Sequence, residues 1–126
     1  MSSLRNERKM SFNLHLPERS TTGINILFHN VRSLRAHFPI VNSSLVYQNS
    51  DIVILCETWL NAFDISHNFE ISNFNLHRFD HPIGSTRQHA GSVVYIRNSL
   101  SALSVRSQFI GEGLSTQLVQ IELSDQ

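Results

Sequence analysis

Short apolar runs recur along the chain and predict a domain built mainly of strands. Residues 24–30 alternate between apolar and polar side chains, which is the period of a half-buried strand. Residues 52–56 and 91–97 are continuously apolar and rich in β-branched side chains, as expected for strands buried on both faces of a sheet. Further strands are predicted at residues 74–79, 103–109 and 116–123.

One helix is predicted between the first two strands. Four apolar residues follow one another at steps of four, three and four positions, which is helical spacing. They are Leu34, Phe38, Val41 and Leu45. Because Pro39 fits the first turn of a helix better than its interior, we expect the helix to begin near residues 37–38 and to end near residues 49–50. The resulting βαβ unit should make the first two strands parallel neighbours.

Polar residues stand where each of these two strands ends. Asn30 closes the first strand and Glu57 directly follows the second. Parallel neighbours would bring both side chains to one rim of the sheet, where open α/β sheets bind ligands. A carboxylate and an amide oxygen are hard donors that suit Mg²⁺. Each residue also has a plainer explanation, because Asn is common in turns and Glu57 can be a solvated carboxylate, so the spacing alone leaves the role of the pair open.

Composition limits the class of protein without selecting one. The 126 residues are 40% apolar and carry ten basic and ten acidic side chains, so a core can form and no net charge attracts DNA or an anionic membrane. Cys56 is the single cysteine, which excludes an intrachain disulfide and fits a reducing, intracellular setting. The polar residues 1–23 show no signal peptide and are expected to form a flexible leader before a domain at 24–126. No apolar run is long enough for a membrane span.

Three strings of residues stand in a specific order along the chain. They are 25–34 (NILFHNVRSL), 50–60 (SDIVILCETWL) and 90–100 (AGSVVYIRNSL). Together they resemble the opening half of the endonuclease/exonuclease/phosphatase domain of non-LTR (LINE-type) retrotransposons. The resemblance implies an α/β fold with a mixed sheet and one helix, the N-terminal part of a DNase I-like four-layer sandwich. Arg32 stands where repair-type relatives often carry an acid, so the resemblance is to the retroelement branch. One departure is that the family's glycine doublet is reduced to Ala90-Gly91.

The resemblance also implies a chemistry, that of a Mg²⁺- or Mn²⁺-dependent hydrolase that nicks target DNA. Asn30 and Glu57 match the catalytic residues that help to hold the metal. The family's later Tyr-Arg-Pro, Asp-x-Asn and Ser-Asp-His motifs have no counterpart in the sequence, so we expect a truncated domain, inactive alone and normally continuous with its C-terminal half and a reverse transcriptase. The alternatives are a non-catalytic binding remnant, and a phosphoesterase of the same fold with another phosphate substrate. Whether the chain is an enzyme therefore stays open.

Two pairs of side chains near these strings have alternative explanations. Arg32 and Arg35 stand where the helix begins, and they fit contacts with phosphate and a solvated helix start equally well. Trp59 and Tyr95 could stack on bases, but large aromatic residues are usually buried, so we expect both to be packed in the domain.

Overall fold

The computed structural model describes residues 23–80, 90–111 and 114–122. Nearly all of the predicted leader, at residues 1–22, lies outside these ranges. The strands are β1 (Ile26–Asn30), β2 (Ile52–Cys56), β3 (Phe74–Phe79), β4 (Ser92–Arg97), β5 (Ser101–Gly111) and β6 (Leu114–Glu122). The helices are α1 (Leu34–Ser43) and α2 (Leu45–Gln48), with a 3₁₀ turn at Ser66–Phe69. Among the described residues, no helix has the length and apolarity that crossing a membrane requires.

Four of the strands form one mixed sheet in the order β1-β2-β4-β3. Strand β1 runs parallel to β2, with Ile26 opposite Ile52 and Asn30 opposite Cys56. Strand β4 is antiparallel to both β2 and β3. Strands β5 and β6 form a separate antiparallel hairpin. The predicted βαβ unit, the mixed sheet and the parallel pairing of the first two strands are thus confirmed.

Helix α1 begins at Leu34, so the predicted start near residues 37–38 is wrong. Its first turn is stabilised by contacts that lie outside the helix. The Ser33 hydroxyl accepts a hydrogen bond from the Ala36 amide at 3.3 Å, and the Leu34 amide donates to the Thr58 carbonyl at 2.9 Å. Pro39 therefore stands inside the helix, where its missing N–H removes one helical hydrogen bond.

The predicted helix end near residues 49–50 also needs correction, because the helix is interrupted after Ser43. Ser44 adopts an extended conformation (φ −82°, ψ 130°), and its hydroxyl accepts a hydrogen bond from the Val46 amide at 3.3 Å. Serine at such a position caps the next helix, here the short α2. The interruption rotates Leu45 away from the face that Leu34 and Val41 bury, so Leu45 is exposed.

The sheet buries apolar side chains on both faces, as predicted for β2 and β4. On the face of α1 the buried cluster consists of Val31, Leu34, Val41, Val53, Leu55, Leu60, Phe69, Ile71, Val93 and Tyr95. On the other face, Ile52, Val94 and Ile96 form a second cluster. Strand β1 at the sheet edge differs, because Ile26 and Phe28 are 61% and 65% exposed. The alternation of apolar residues in β1 therefore predicts the strand correctly, but the apolar side chains of this strand do not form a fully buried face.

Candidate functional site

The carboxyl ends of three strands lie at the same edge of the sheet. Strands β1 and β2 are parallel, and β3 runs in their direction because both β2 and β3 are antiparallel to β4. Asn30, Glu57 and Asp80 therefore stand at this edge, which we call the carboxyl rim. This is the edge at which open α/β sheets bind ligands. The segment that leads into β4, at Ala90 and Gly91, borders the same rim.

Asn30 and Glu57 meet at the carboxyl rim. The Asn30 side-chain amide donates a hydrogen bond to the Glu57 carboxylate. Asn30 is exposed and Glu57 is partly buried, so the pair faces solvent. In the described part of the chain, the Asn30 amide oxygen and the second Glu57 oxygen make no further hydrogen bond. The predicted convergence of these two side chains is confirmed, whereas their catalytic and metal-binding roles stay predictions.

The backbone that carries Glu57 is a strained turn connected to both neighbouring segments. Glu57 and Trp59 have positive φ angles of 54° and 60°, which cost roughly 1–3 kcal/mol each for residues other than glycine. The Glu57 carbonyl accepts a hydrogen bond from the Ser33 amide at 3.0 Å, and the Trp59 amide donates to the Ala90 carbonyl at 2.9 Å. Conformations of this cost persist only where the surroundings over-determine them, and they cluster at functional sites.

Arg35 ties this turn to the loop that follows it. Its guanidinium forms two hydrogen bonds with the Asp64 carboxylate, at 2.6 and 2.8 Å, and a third with the Trp59 carbonyl at 2.7 Å. The hydrogen bond from Arg35 holds the pKa of the Asp64 carboxyl below its usual value, and the same bond raises the pKa of Arg35. Arg35 is thus a structural ion-pair partner. Arg32 is exposed, and in the described residues it has no hydrogen-bonding or ionic partner.

Arg78 of β3 holds the same loop from the other side. Its guanidinium donates to the Asp64 and Asn61 carbonyls at 2.7 and 3.0 Å and to the Ser66 hydroxyl at 3.0 Å. It also pairs with the Asp80 carboxylate at 2.5 Å. Asp80 therefore stands at the carboxyl rim with its charge already balanced. Sequence reasoning missed both arginine networks, because their partners are up to 29 positions away and follow no local pattern.

The other side chains singled out near the rim are packed. Tyr95 is fully buried, as predicted, and its hydroxyl donates to the Phe69 carbonyl at 2.6 Å. Trp59 is partly buried. Burial raises the pKa of the Cys56 thiol, and the negative charge of neighbouring Glu57 raises it further. Cys56 is therefore a neutral thiol at pH 7, which makes it a poor metal ligand or nucleophile.

The donor set at the rim fits a hard divalent cation that keeps most of its own water. Glu57 offers a carboxylate and Asn30 an amide oxygen, whose orientation depends on how the amide is turned. The described residues contain no group of three or more His, Cys, Asp or Glu side chains able to hold a metal ion. A site built on Asn30 and Glu57 therefore supplies two protein ligands and leaves the remaining positions to water or phosphate oxygens.

Comparison with known proteins identifies the fold. The sequence matches no protein-family profile, and no curated protein matches it. Six solved protein chains match the structure, and one of them is the AP endonuclease LMAP from Leishmania major. The match has a TM-score of 0.50 and 20% sequence identity, and it covers 67% of this chain and 27% of the other. The chain thus has a DNase I-like α/β fold and spans about a quarter of the enzyme it matches.

Proposed function

We propose that this chain forms part of a metal-dependent endonuclease domain of the retrotransposon type, with DNA as substrate. The observation that carries the proposal is the meeting of Asn30 and Glu57 at the carboxyl rim of a DNase I-like sheet. The retrotransposon assignment rests on the strings at residues 25–34, 50–60 and 90–100. In such a protein the domain would be joined to a reverse transcriptase.

Glu57 and Asn30 would hold Mg²⁺ or Mn²⁺ at this rim. When bound, the ion supplies Lewis-acid stabilisation of the charge that develops on a phosphate oxygen. The Glu57 carboxylate contributes the negative charge that attracts the cation, and the Asn30 amide adds a neutral oxygen. The strained turn holds Glu57 over the end of β1, so the ligand pair is arranged before the ion arrives.

We further propose that these 126 residues by themselves bind the ion without cutting DNA. Hydrolysis needs a positioned base to activate water, and general acid–base catalysis typically contributes about 10²–10⁴ in rate. The only described acid besides Glu57 at the carboxyl rim is Asp80, which is paired with Arg78. A base from outside the described residues would have to complete the site.

A non-catalytic fragment that binds metal or phosphate is the second candidate. Its support is the charge distribution, because two of the arginines near the rim, Arg35 and Arg78, are paired with acids. A nucleic-acid enzyme usually presents a basic face, and the net charge of this chain is zero. The two candidates differ in whether the chain supports cleavage once the missing base is supplied.

Nicking of supercoiled plasmid distinguishes these candidates. The chain is incubated with Mg²⁺, with and without EDTA, beside a chimera that adds the remaining part of a related DNase I-like domain. We expect no nicking by the chain, EDTA-sensitive nicking by the chimera, and loss of that nicking in Glu57→Ala. Glu70→Ala serves as the matched control, since Glu70 is an exposed acid paired with His67. A folded chimera that never cuts favours the non-catalytic candidate, and one that cuts equally well with Glu57→Ala excludes Glu57 from the site.

A further inference from the structure

Thr58 is the buried centre of the turn that carries Glu57. Its side chain is fully buried, and its hydroxyl has no hydrogen-bond partner among the described residues. Its amide donates to the Gly91 carbonyl at 3.3 Å, and its carbonyl accepts from the Leu34 amide at 2.9 Å. Thr58 therefore connects α1 to the segment that leads into β4, and it has little room to move.

Gly91 packs directly against the Thr58 side chain. A Cβ atom at position 91 would stand 2.7 Å from the Thr58 hydroxyl oxygen, closer than real Cβ contacts allow, and 3.5 Å from the Phe79 carbonyl oxygen. Gly91 also has a φ of 99°, where side chains other than glycine are strained. Threonine is stiff about its first side-chain bond, so a buried Thr58 cannot simply turn its hydroxyl aside. A side chain at position 91 would therefore require the backbone of Thr58 or of Gly91 to move.

We infer that the contact between Gly91 and Thr58 positions Glu57 opposite Asn30 and thereby sets the affinity of the carboxyl rim for a divalent cation. Only the metal-binding part of this inference rests on the proposed function. Glu57 precedes Thr58 directly, so a shift of Thr58 moves the carboxylate away from Asn30. Gly91 and Thr58 are positioning residues, since they act on the ligand pair through the backbone.

The same geometry explains why only one glycine is needed before β4. Ala90 has no positive φ angle, and its carbonyl accepts the hydrogen bond from the Trp59 amide at 2.9 Å. A Cβ atom is compatible with that conformation. The departure from a glycine doublet at Ala90 thus leaves the turn intact, whereas the same change at Gly91 would not.

Two readouts test the inference on the chain itself. The first is the NMR signal of the Asn30 side-chain amide protons, which reports the hydrogen bond to Glu57 without any metal. The second is the affinity for Mn²⁺, followed by electron paramagnetic resonance. Gly91→Ala should move the Asn30 signal towards its position in Glu57→Gln and weaken Mn²⁺ binding by about 10- to 100-fold, the usual cost of losing groups that orient a metal ligand.

Removing the atom that a new Cβ would strike should reverse the effect. We expect Gly91→Ala combined with Thr58→Ala to recover part of the Asn30 shift and of the Mn²⁺ affinity, with Ala90→Gly as the neutral control. A Gly91→Ala chain that fails to fold, and folds again with Thr58→Ala, also supports the contact. The inference is overturned if Gly91→Ala leaves the Asn30 signal unchanged, or if Thr58→Ala restores neither signal nor fold. If the wild-type chain binds no Mn²⁺, the proposed function is wrong. The NMR signal of Asn30 still shows whether Gly91 and Thr58 position Glu57.

Discussion

Removing the Arg78 guanidinium should destabilise the domain far more than removing that of Arg35. Both arginines hold the loop that contains Asp64, but they differ in exposure. The Arg78 side chain is 13% exposed and its partner Asp80 is 19% exposed. The Arg35 side chain is 45% exposed. Burial decides which loss of stability is larger. Arg78→Ala leaves the Asp80 carboxylate without its partner, and a largely buried carboxylate cannot be fully rehydrated.

The structure sets the size of the effect. Arg78 donates hydrogen bonds to two carbonyls and a hydroxyl besides its pair with Asp80. Breaking a buried ion pair by removing one partner costs about 3–5 kcal/mol, and the solvent contact of this pair favours the lower end, about 3 kcal/mol for Arg78→Ala. That is a large part of the roughly 5–15 kcal/mol that stabilises a typical domain. Arg35→Ala should cost less, about 1 kcal/mol, because Arg35 is 45% exposed and the more buried Asp64 keeps a hydrogen bond from the Asn61 amide.

Urea unfolding at neutral pH measures the loss of stability in Arg78→Ala and in Arg35→Ala. The comparison requires that the free energy of unfolding depends on urea concentration with the same slope in each variant. Arg78→Lys keeps the charge but loses the planar fork of donors, so its stability should fall between those of wild type and Arg78→Ala. An Arg78→Ala chain within about 1 kcal/mol of wild type would refute the reasoning from burial. Equal losses for Arg35→Ala and Arg78→Ala would refute it as well.

Two further predictions concern other buried or paired groups. Tyr95→Phe should lower the free energy of unfolding by about 1–3 kcal/mol, because the Phe69 carbonyl loses its hydrogen bond in the core; a urea midpoint equal to that of wild type would contradict this. Asp64 has a lowered pKa, so the stability from its ionised form is present above about pH 4 and is lost as the pH falls through the lowered pKa. The advantage of wild type over Asp64→Asn in urea unfolding should therefore shrink in acid, and a gap that stays constant with pH would rule out ionised Asp64 as its source.

The parts of the fold that follow local patterns could be predicted from the sequence. Continuous apolar runs located β2 and β4, and the βαβ order predicted that β1 and β2 are parallel, which placed Asn30 and Glu57 at one rim without any knowledge of contacts. The start of α1 was predicted three to four residues too late, because Pro39 suggested a first turn although Ser33 is a local N-cap. The start also depends on the hydrogen bond from Leu34 to Thr58, and Thr58 belongs to a different segment of the chain.

The rest of the candidate site depends on contacts that are distant in sequence. Arg35 and Asp64 are 29 positions apart and Arg78 and Asp64 are 14 apart, so no local spacing indicates these pairs. The sequence shows the glycine before β4, but it does not show why glycine is required there. That reason is the positive φ of Gly91 together with the approach of Thr58 to its missing side chain. Close approach of this kind is visible only in three dimensions.

The most direct test of the central claim is a Mn²⁺ titration of the chain followed by electron paramagnetic resonance. If Asn30 and Glu57 form a cation site at the carboxyl rim, wild type should bind Mn²⁺ saturably, and Glu57→Gln should weaken the binding by at least about tenfold. Asn30→Ala should weaken it less, because it removes a neutral ligand. Glu70→Gln should bind as wild type does, since Glu70 lies outside the rim and pairs with His67. Mn²⁺ binding that is equally strong in Glu57→Gln, or no saturable binding by the folded wild type, would contradict the claim.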